Sequence, residues 1–203
     1  MEADWTVALA PGDPVITIPW AAPGDDIRTC KFVDLRLGPH LVDEIEEARS
    51  RPALRAALLL LNAANSPLWT AKCDAWATSV EEGAEPFDPY EMDAEVSDIA
   101  FGAGSYIDLV PRDLSFLAGF ERQERWIRAV TEVLRSTPAR AARVELVLRR
   151  AEVEGASGFT VTWFVEGCGS TAQHAGQRWA EALDLALAVV MDVRLMLPRP
   201  GTG

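Results

Sequence analysis

The sequence predicts an α+β domain built on a ferredoxin-like antiparallel sheet, β-α-β-β-α-β, with helices on one face. An extra C-terminal strand and helix and an N-terminal β arm extend it. Two observations carry the prediction. Phe32-Val33-Asp34-Leu35 recurs as Tyr106-Ile107-Asp108-Leu109, and each copy opens a strand-like run. Each run is followed by a helical stretch, a Pro-marked turn and another strand-like run. Asp34 to Pro67 spans 33 residues and Asp108 to Pro138 spans 30. A βαβ unit said twice is a stronger architectural signal than a single motif.

Residues 5–9 and 15–20 are short and β-rich, separated by Pro11-Gly12-Asp13-Pro14. They read as an arm or hairpin, able to cover the open sheet face or to pair with a sheet edge. With the polar stretch that follows, residues 1–30 are an N-terminal β arm and linker, and 31–203 a single α+β domain. The first predicted strand covers 31–37, with Val33, Leu35 and Leu37 on one face and Phe32, Asp34 and Arg36 on the other. Pro39 opens a helical stretch. Ser50-Arg51-Pro52 marks a fresh helical start, because proline suits a first turn and breaks an interior. Residues 68–77 carry helix-favouring alanines, but Pro67 and the repeat favour a strand. An acidic loop follows at 79–103. The next strand is 105–110, and a helix over 114–135 shows apolar residues at helical spacing. Strands at 142–153 and 159–166 flank a hairpin loop at 154–158. Ser170 or Thr171 caps the last helix.

Right-handed crossovers would place 31–37 and 105–110 side by side at the sheet centre. The face away from the helices then displays Phe32, Asp34, Arg36, Tyr106 and Asp108, joined by Glu145 and Arg149 from strand 142–153. From strand 68–77 it receives either Trp69 and Cys73 or Lys72, Asp74 and Trp76. An exposed aromatic sheet face marks an interaction surface. A homodimer that buries this face, the arm or both is one expectation. Binding of a small ligand or a protein is the other.

Composition narrows the chemistry. The net charge is −12, and residues 81–98 hold eight acids and no base. That segment reads as a solvated loop or a docking site for a basic partner. Central-strand aromatics can stack RNA bases, but nucleic-acid binding needs a basic surface and none is evident. No apolar run is long enough to span a membrane. No signal peptide is evident. Three scattered cysteines suggest reduced thiols in a cytoplasmic protein. No metal-ligand spacing, Walker A pattern or dinucleotide fingerprint occurs, so no metal and no cofactor are expected.

Cys168 is the sharpest chemical candidate. It stands between two glycines at a strand-to-helix junction, where a thiol can be activated. His174 lies one turn on and would serve as its base. The N–H groups of Gly169, Ser170 and Thr171 are candidates to hold an anion. No third orienting residue is apparent, so a binding protein is preferred over a thiol-dependent enzyme.

Overall fold

Six strands form one mixed sheet in the computed structural model, which describes residues 1–20, 32–85 and 87–192. The strands are β1 (Glu2–Ala8), β2 (Ile16–Ile18), β3 (Leu68–Ser79), β4 (Phe101–Pro111), β5 (Ala142–Val153) and β6 (Ala156–Gly169). Their spatial order is β1-β5-β6-β4-β3, with β2 also pairing with β5. The helices are α1 (Glu46–Ser50), α2 (Pro52–Leu61), α3 (Leu114–Leu117), α4 (Phe120–Arg135) and α5 (Ala172–Val190).

The strands form where apolar and polar residues alternate. On β6, Val161, Trp163 and Val165 enter the main core beneath the helices. Ile107 and Leu109 of β4 and Val144, Leu146 and Leu148 of β5 do the same. The helix layer supplies Leu54, Leu58 and Leu61 from α2, Trp126, Ile127, Val130 and Leu134 from α4, and Trp179, Leu183, Leu187 and Val190 from α5. Pro52 starts α2, as its fixed φ favours. Thr171 caps α5, its hydroxyl accepting from the His174 N–H at 3.2 Å.

Two glycines let α5 lie directly on the sheet. A Cβ on Gly167 would sit 2.3 Å from the backbone nitrogen of Trp179, and one on Gly169 would sit 2.6 Å from that of Ala175. Trp179 then donates its indole N–H to Ser105 Oγ of β4 at 3.0 Å, inside the core.

The α+β class holds, but the ferredoxin-like path does not. Residues 31–37 were expected to be a central strand. Residues 32–34 are irregular, Leu35–Leu37 is a 3₁₀ turn, and Lys31 lies outside the described residues. The reason is local. The Asp34 carboxylate accepts from the Arg36 N–H at 3.0 Å and caps the turn, a side-chain bond that competes with strand pairing. The central slot between β5 and β4 is taken by β6, antiparallel to both. A strand–helix pair, β6–α5, therefore stands where the repeat put a pair from the other end of the chain.

The arm is also placed differently. It neither forms a hairpin nor covers the outer face as a whole. β1 runs parallel to β5 from Glu2↔Arg143 to Ala8↔Arg149, and β2 continues along the same strand. The arm thus extends its own sheet by one edge strand. The linker residues 21–31 lie outside the described residues.

Replacing Gly167 with alanine forces a methyl group into the α5 backbone. The expected loss of stability is about 1–3 kcal/mol, as for other overpacked sites. Gly176→Ala on the same helix meets nothing within 4 Å and should be neutral or slightly stabilising. Urea unfolding of both variants checks the difference.

Candidate functional site

The outer face of the sheet is covered at both ends and exposed in the middle. At one end, Ile18, Trp69, Ala71, Val110, Ala151 and Val153 form a second core with Leu117 of α3. Ile18 and Phe32 come from the segments that cross this end. Arg36 fastens the crossing. Its guanidinium lies 3.7 Å from the Trp69 ring centroid. It donates to both oxygens of Asp34, each at 2.8 Å, and to Glu154 Oε1. These bonds hold the Asp34 carboxyl below its ordinary range.

The other end is covered by the acidic loop. Met92 is buried against Ala141 and Cys168, with Phe87 and Ile99 around them. Glu91 pairs with Arg143 at 2.7 Å and Asp98 with Arg178 at 2.9 Å. Asp93 approaches Arg140 at 3.9 Å, and its carbonyl accepts from the Ala141 N–H. The expectation of a solvated loop is corrected here: one methionine and three arginines of the same chain dock it. Glu81, Glu82, Glu85, Asp88 and Glu95 remain exposed.

Between the covers lies the patch the sequence anticipated from β4 and β5. Tyr106 and Asp108 point outward, as do Glu145 and Arg149. Tyr106 packs against Phe164 of β6, ring centroids 5.8 Å apart. Thr162 donates its hydroxyl to Asp108 Oδ1 at 2.7 Å and accepts from Arg149 Nε at 3.0 Å. Asp108 is 3 % exposed, and burial pushes its carboxyl up to about 6 against the pull of Thr162, Arg149 and Lys72. Glu145 accepts from Thr6 on the edge strand β1. Phe32, Asp34 and Arg36 are not neighbours of Tyr106 in the sheet. They belong to the cover at one end.

Strand β3 answers the choice left open by the sequence. A register shift between Thr70 and Cys73 reverses the alternation. Trp69 before it and Asp74 and Trp76 after it all face outward, while Cys73 packs against the main core. A bulge of this kind re-aims the side chains that follow it.

At the bulge the structure opens a cavity of about 460 Å³ that sequence reading missed. One wall comes from the cover: Trp20, Val33 and Leu35. A second comes from the turn into α1: Ile45, Glu46, Glu47 and Arg49. The floor is Cys73 and Leu58, and the mouth reaches Tyr106, Asp74 and Lys72. Trp20 donates its indole N–H to the Ala71 carbonyl at 3.1 Å, while Lys72 Nζ stands 5.6 Å from the Trp20 ring centroid. Burial and the nearby Glu47, Asp74 and Asp108 push the Cys73 thiol up to about 12. Burial and Asp108 likewise raise the Tyr106 phenol above its ordinary value.

Comparison with protein-family models, curated proteins and solved structures finds no match to this chain. The chemistry rests on the residues alone.

Cys168 and His174 are not brought together. The Cys168 side chain points outward, buried under Met92, and burial pushes its thiol up to about 11. His174 is exposed on α5, its Nδ1 3.3 Å from Ser170 Oγ. Gly169 faces α5, and Thr171 is used as the cap. Among the described residues, no group of three or more His, Cys, Asp or Glu is placed to hold a metal ion. None of their helices is long and apolar enough to cross a membrane.

Asp108 gives the patch a signature in pH. Its folded carboxyl titrates higher than an unfolded one, near 3.9. The folded chain therefore holds the extra proton between about 4 and 6, and stability falls as pH rises through that window. Asp108→Asn keeps an acceptor for Thr162 and removes the ionisation. Its stability relative to wild type should grow from pH 4 to pH 6.5, by on the order of 3 kcal/mol at most. Denaturation at several pH values measures it.

Proposed function

We propose that the chain is a cytoplasmic small-molecule-binding protein whose ligand enters the cavity beside the β3 bulge and reaches the exposed patch at Tyr106. The observation that carries the reading is the cavity itself. Its volume, about 460 Å³, lies within the range of roughly 300–1,000 Å³ typical of ligand sites. Its lining joins apolar side chains, Val33, Leu35, Ile45 and Leu58, to six charged ones, Glu44, Glu46, Glu47, Arg49, Lys72 and Asp74, a more polar mix than most ligand sites carry. The free thiols of Cys73 and Cys168 suit a reducing compartment. A fragment screen read by thermal shift is the test. A bound fragment at about 100 times its Kd should stabilise the fold by about 2.7 kcal/mol. Val33→Trp places a ring across the wall and should abolish those shifts. Fragments that bind the variant as well as wild type would place the ligand elsewhere and overturn the reading.

A second reading is favoured by the half-exposed Tyr106–Phe164 pair and by Trp76 on the same face. Under it, two copies meet across the outer patch as a homodimer. A standard interface would bury on the order of 1,600 Å² in total. Light scattering over a dilution series should then show mass falling from twice 22.1 kDa toward the monomer, and Phe164→Lys should give monomer throughout. Wild-type mass at the monomer value at every concentration removes the dimer.

A further inference from the structure

We propose that the cavity beside β3 takes an organic cation, a protonated amine carried on an apolar body the size of a single ring system. The proposal rests on the reading of the cavity as a ligand site and specifies its chemistry.

The apolar part follows from the walls. Val33, Leu35, Ile45 and Leu58 offer no hydrogen-bonding side chain, and the hydroxyl of the buried Thr70 already accepts from Asn62, so this part of the lining suits an apolar ligand end. The charged part follows from the mouth and the turn above it. Glu46, Glu47 and Asp74 contribute three carboxylates, against Arg49 and Lys72 as the two bases. Asp108 adds a further carboxyl behind Tyr106. Glu47, Asp74 and Asp108 also lie close enough to act on Cys73 and Tyr106 within the cavity, in addition to the burial of both groups. Proton loss from Cys73 is opposed by Glu47, Asp74 and Asp108, and proton loss from Tyr106 by the same three carboxylates. Negative charge thus converges on the point where floor meets mouth. An anionic ligand would be repelled there and a cation held.

The aromatic groups agree. Trp20 and Tyr106 flank the mouth, and the Trp20 ring already has a cation near its face, the ammonium of Lys72 at 5.6 Å. A ring face attracts a cation within about 6 Å. Lys72, an exposed residue of the rim, therefore stands where a ligand ammonium would be placed. Carboxylates and an aromatic face together make a recognition set for an amine and leave a carboxylate ligand no counter-charge except Arg49 and Lys72.

The test uses three probes with one indole ring and three charges: tryptamine, tryptophol and indole-3-propionate. Calorimetry with the full chain at pH 7 should rank them in that order, with tryptamine favoured over tryptophol by about tenfold, the combined scale of one cation–π contact and one partly exposed ion pair. Glu47→Gln should weaken tryptamine severalfold and leave tryptophol unchanged. Lys72→Met should strengthen tryptamine. Equal affinities for the three probes, each abolished by Val33→Trp, would overturn the cation and leave the cavity as a ligand site. A preference for indole-3-propionate would overturn it too. Failure of all three to bind at millimolar concentration also overturns it, and the cavity reading falls as well only if the fragment screen is empty or its hits bind Val33→Trp unchanged.

Discussion

The approach of α5 to β6 is the contact on which the architecture depends. A helix normally stands off a sheet by the length of its side chains. At Gly167 and Gly169 no side chain intervenes, and the α5 backbone comes within what would be Cβ contact. Trp179 can then reach across β6 to Ser105 on β4 and satisfy its indole N–H in the core. Leu183, Leu187 and Val190 extend the same seam. Because α5 is fixed over the sheet centre, α4 lies toward β1 and β5 on the same side. The three long helices, α2, α4 and α5, are thereby committed to one face.

That commitment leaves the other face to be covered by irregular chain. Loops hold such positions only when pinned, since they bring few apolar groups of their own. Arg36 pins one end. It stacks on Trp69 and bonds Asp34 and Glu154, so one planar group joins the crossing segment, β3 and the β5–β6 turn. Lysine has neither the plane nor the fork for this task. Met92 pins the other end, with arginines from β5, α5 and the segment before β5 neutralising loop acids. The cavity lies where the Arg36-held segment and the turn into α1 meet the bulge without filling the gap. It is a product of the covers as much as of the β3 bulge.

Where the alternation of apolar residues was regular, the sequence disclosed the structure. β5 runs Ala142–Val153 as expected, and Leu146 and Leu148 point inward so that Glu145 and Arg149 point out. Thr171 caps α5. Tyr106 and Asp108 share the outer face, although Asp108 is buried there. The failure at 31–37 has a definite cause. Phe-Val-Asp-Leu has strand propensity, but Asp34 and Arg36 bond each other and the backbone, and that local closure outweighs the pattern. The resemblance between 32–35 and 106–109 is one of composition, not of structure. The cavity was invisible for another reason. It joins Trp20, Val33, Glu47, Cys73 and Tyr106, and only tertiary folding brings them together. The bulge that shapes it left a trace in the sequence, the ambiguity over which side chains of 68–77 face outward.

The position of β6 has a bearing on synthesis from the ribosome. The strand at the sheet centre is the last one made. Until it emerges, β4 has only β3 as a partner and β5 has only the arm strands β1 and β2, with β1 contacts that reach across 139 residues between Thr6 and Glu145. Such long-range pairing closes slowly. In the interval the β3–β4 pair presents a bare edge of apolar residues, the kind of edge that pairs with other nascent chains. The connection between those two strands is the segment with eight acids and no base. Its charge stands beside the bare edge throughout the wait, and copies of the unfinished sheet repel one another. The arginines that later neutralise part of it, Arg140, Arg143 and Arg178, all follow it in the chain, so the repulsion weakens as the sheet is completed.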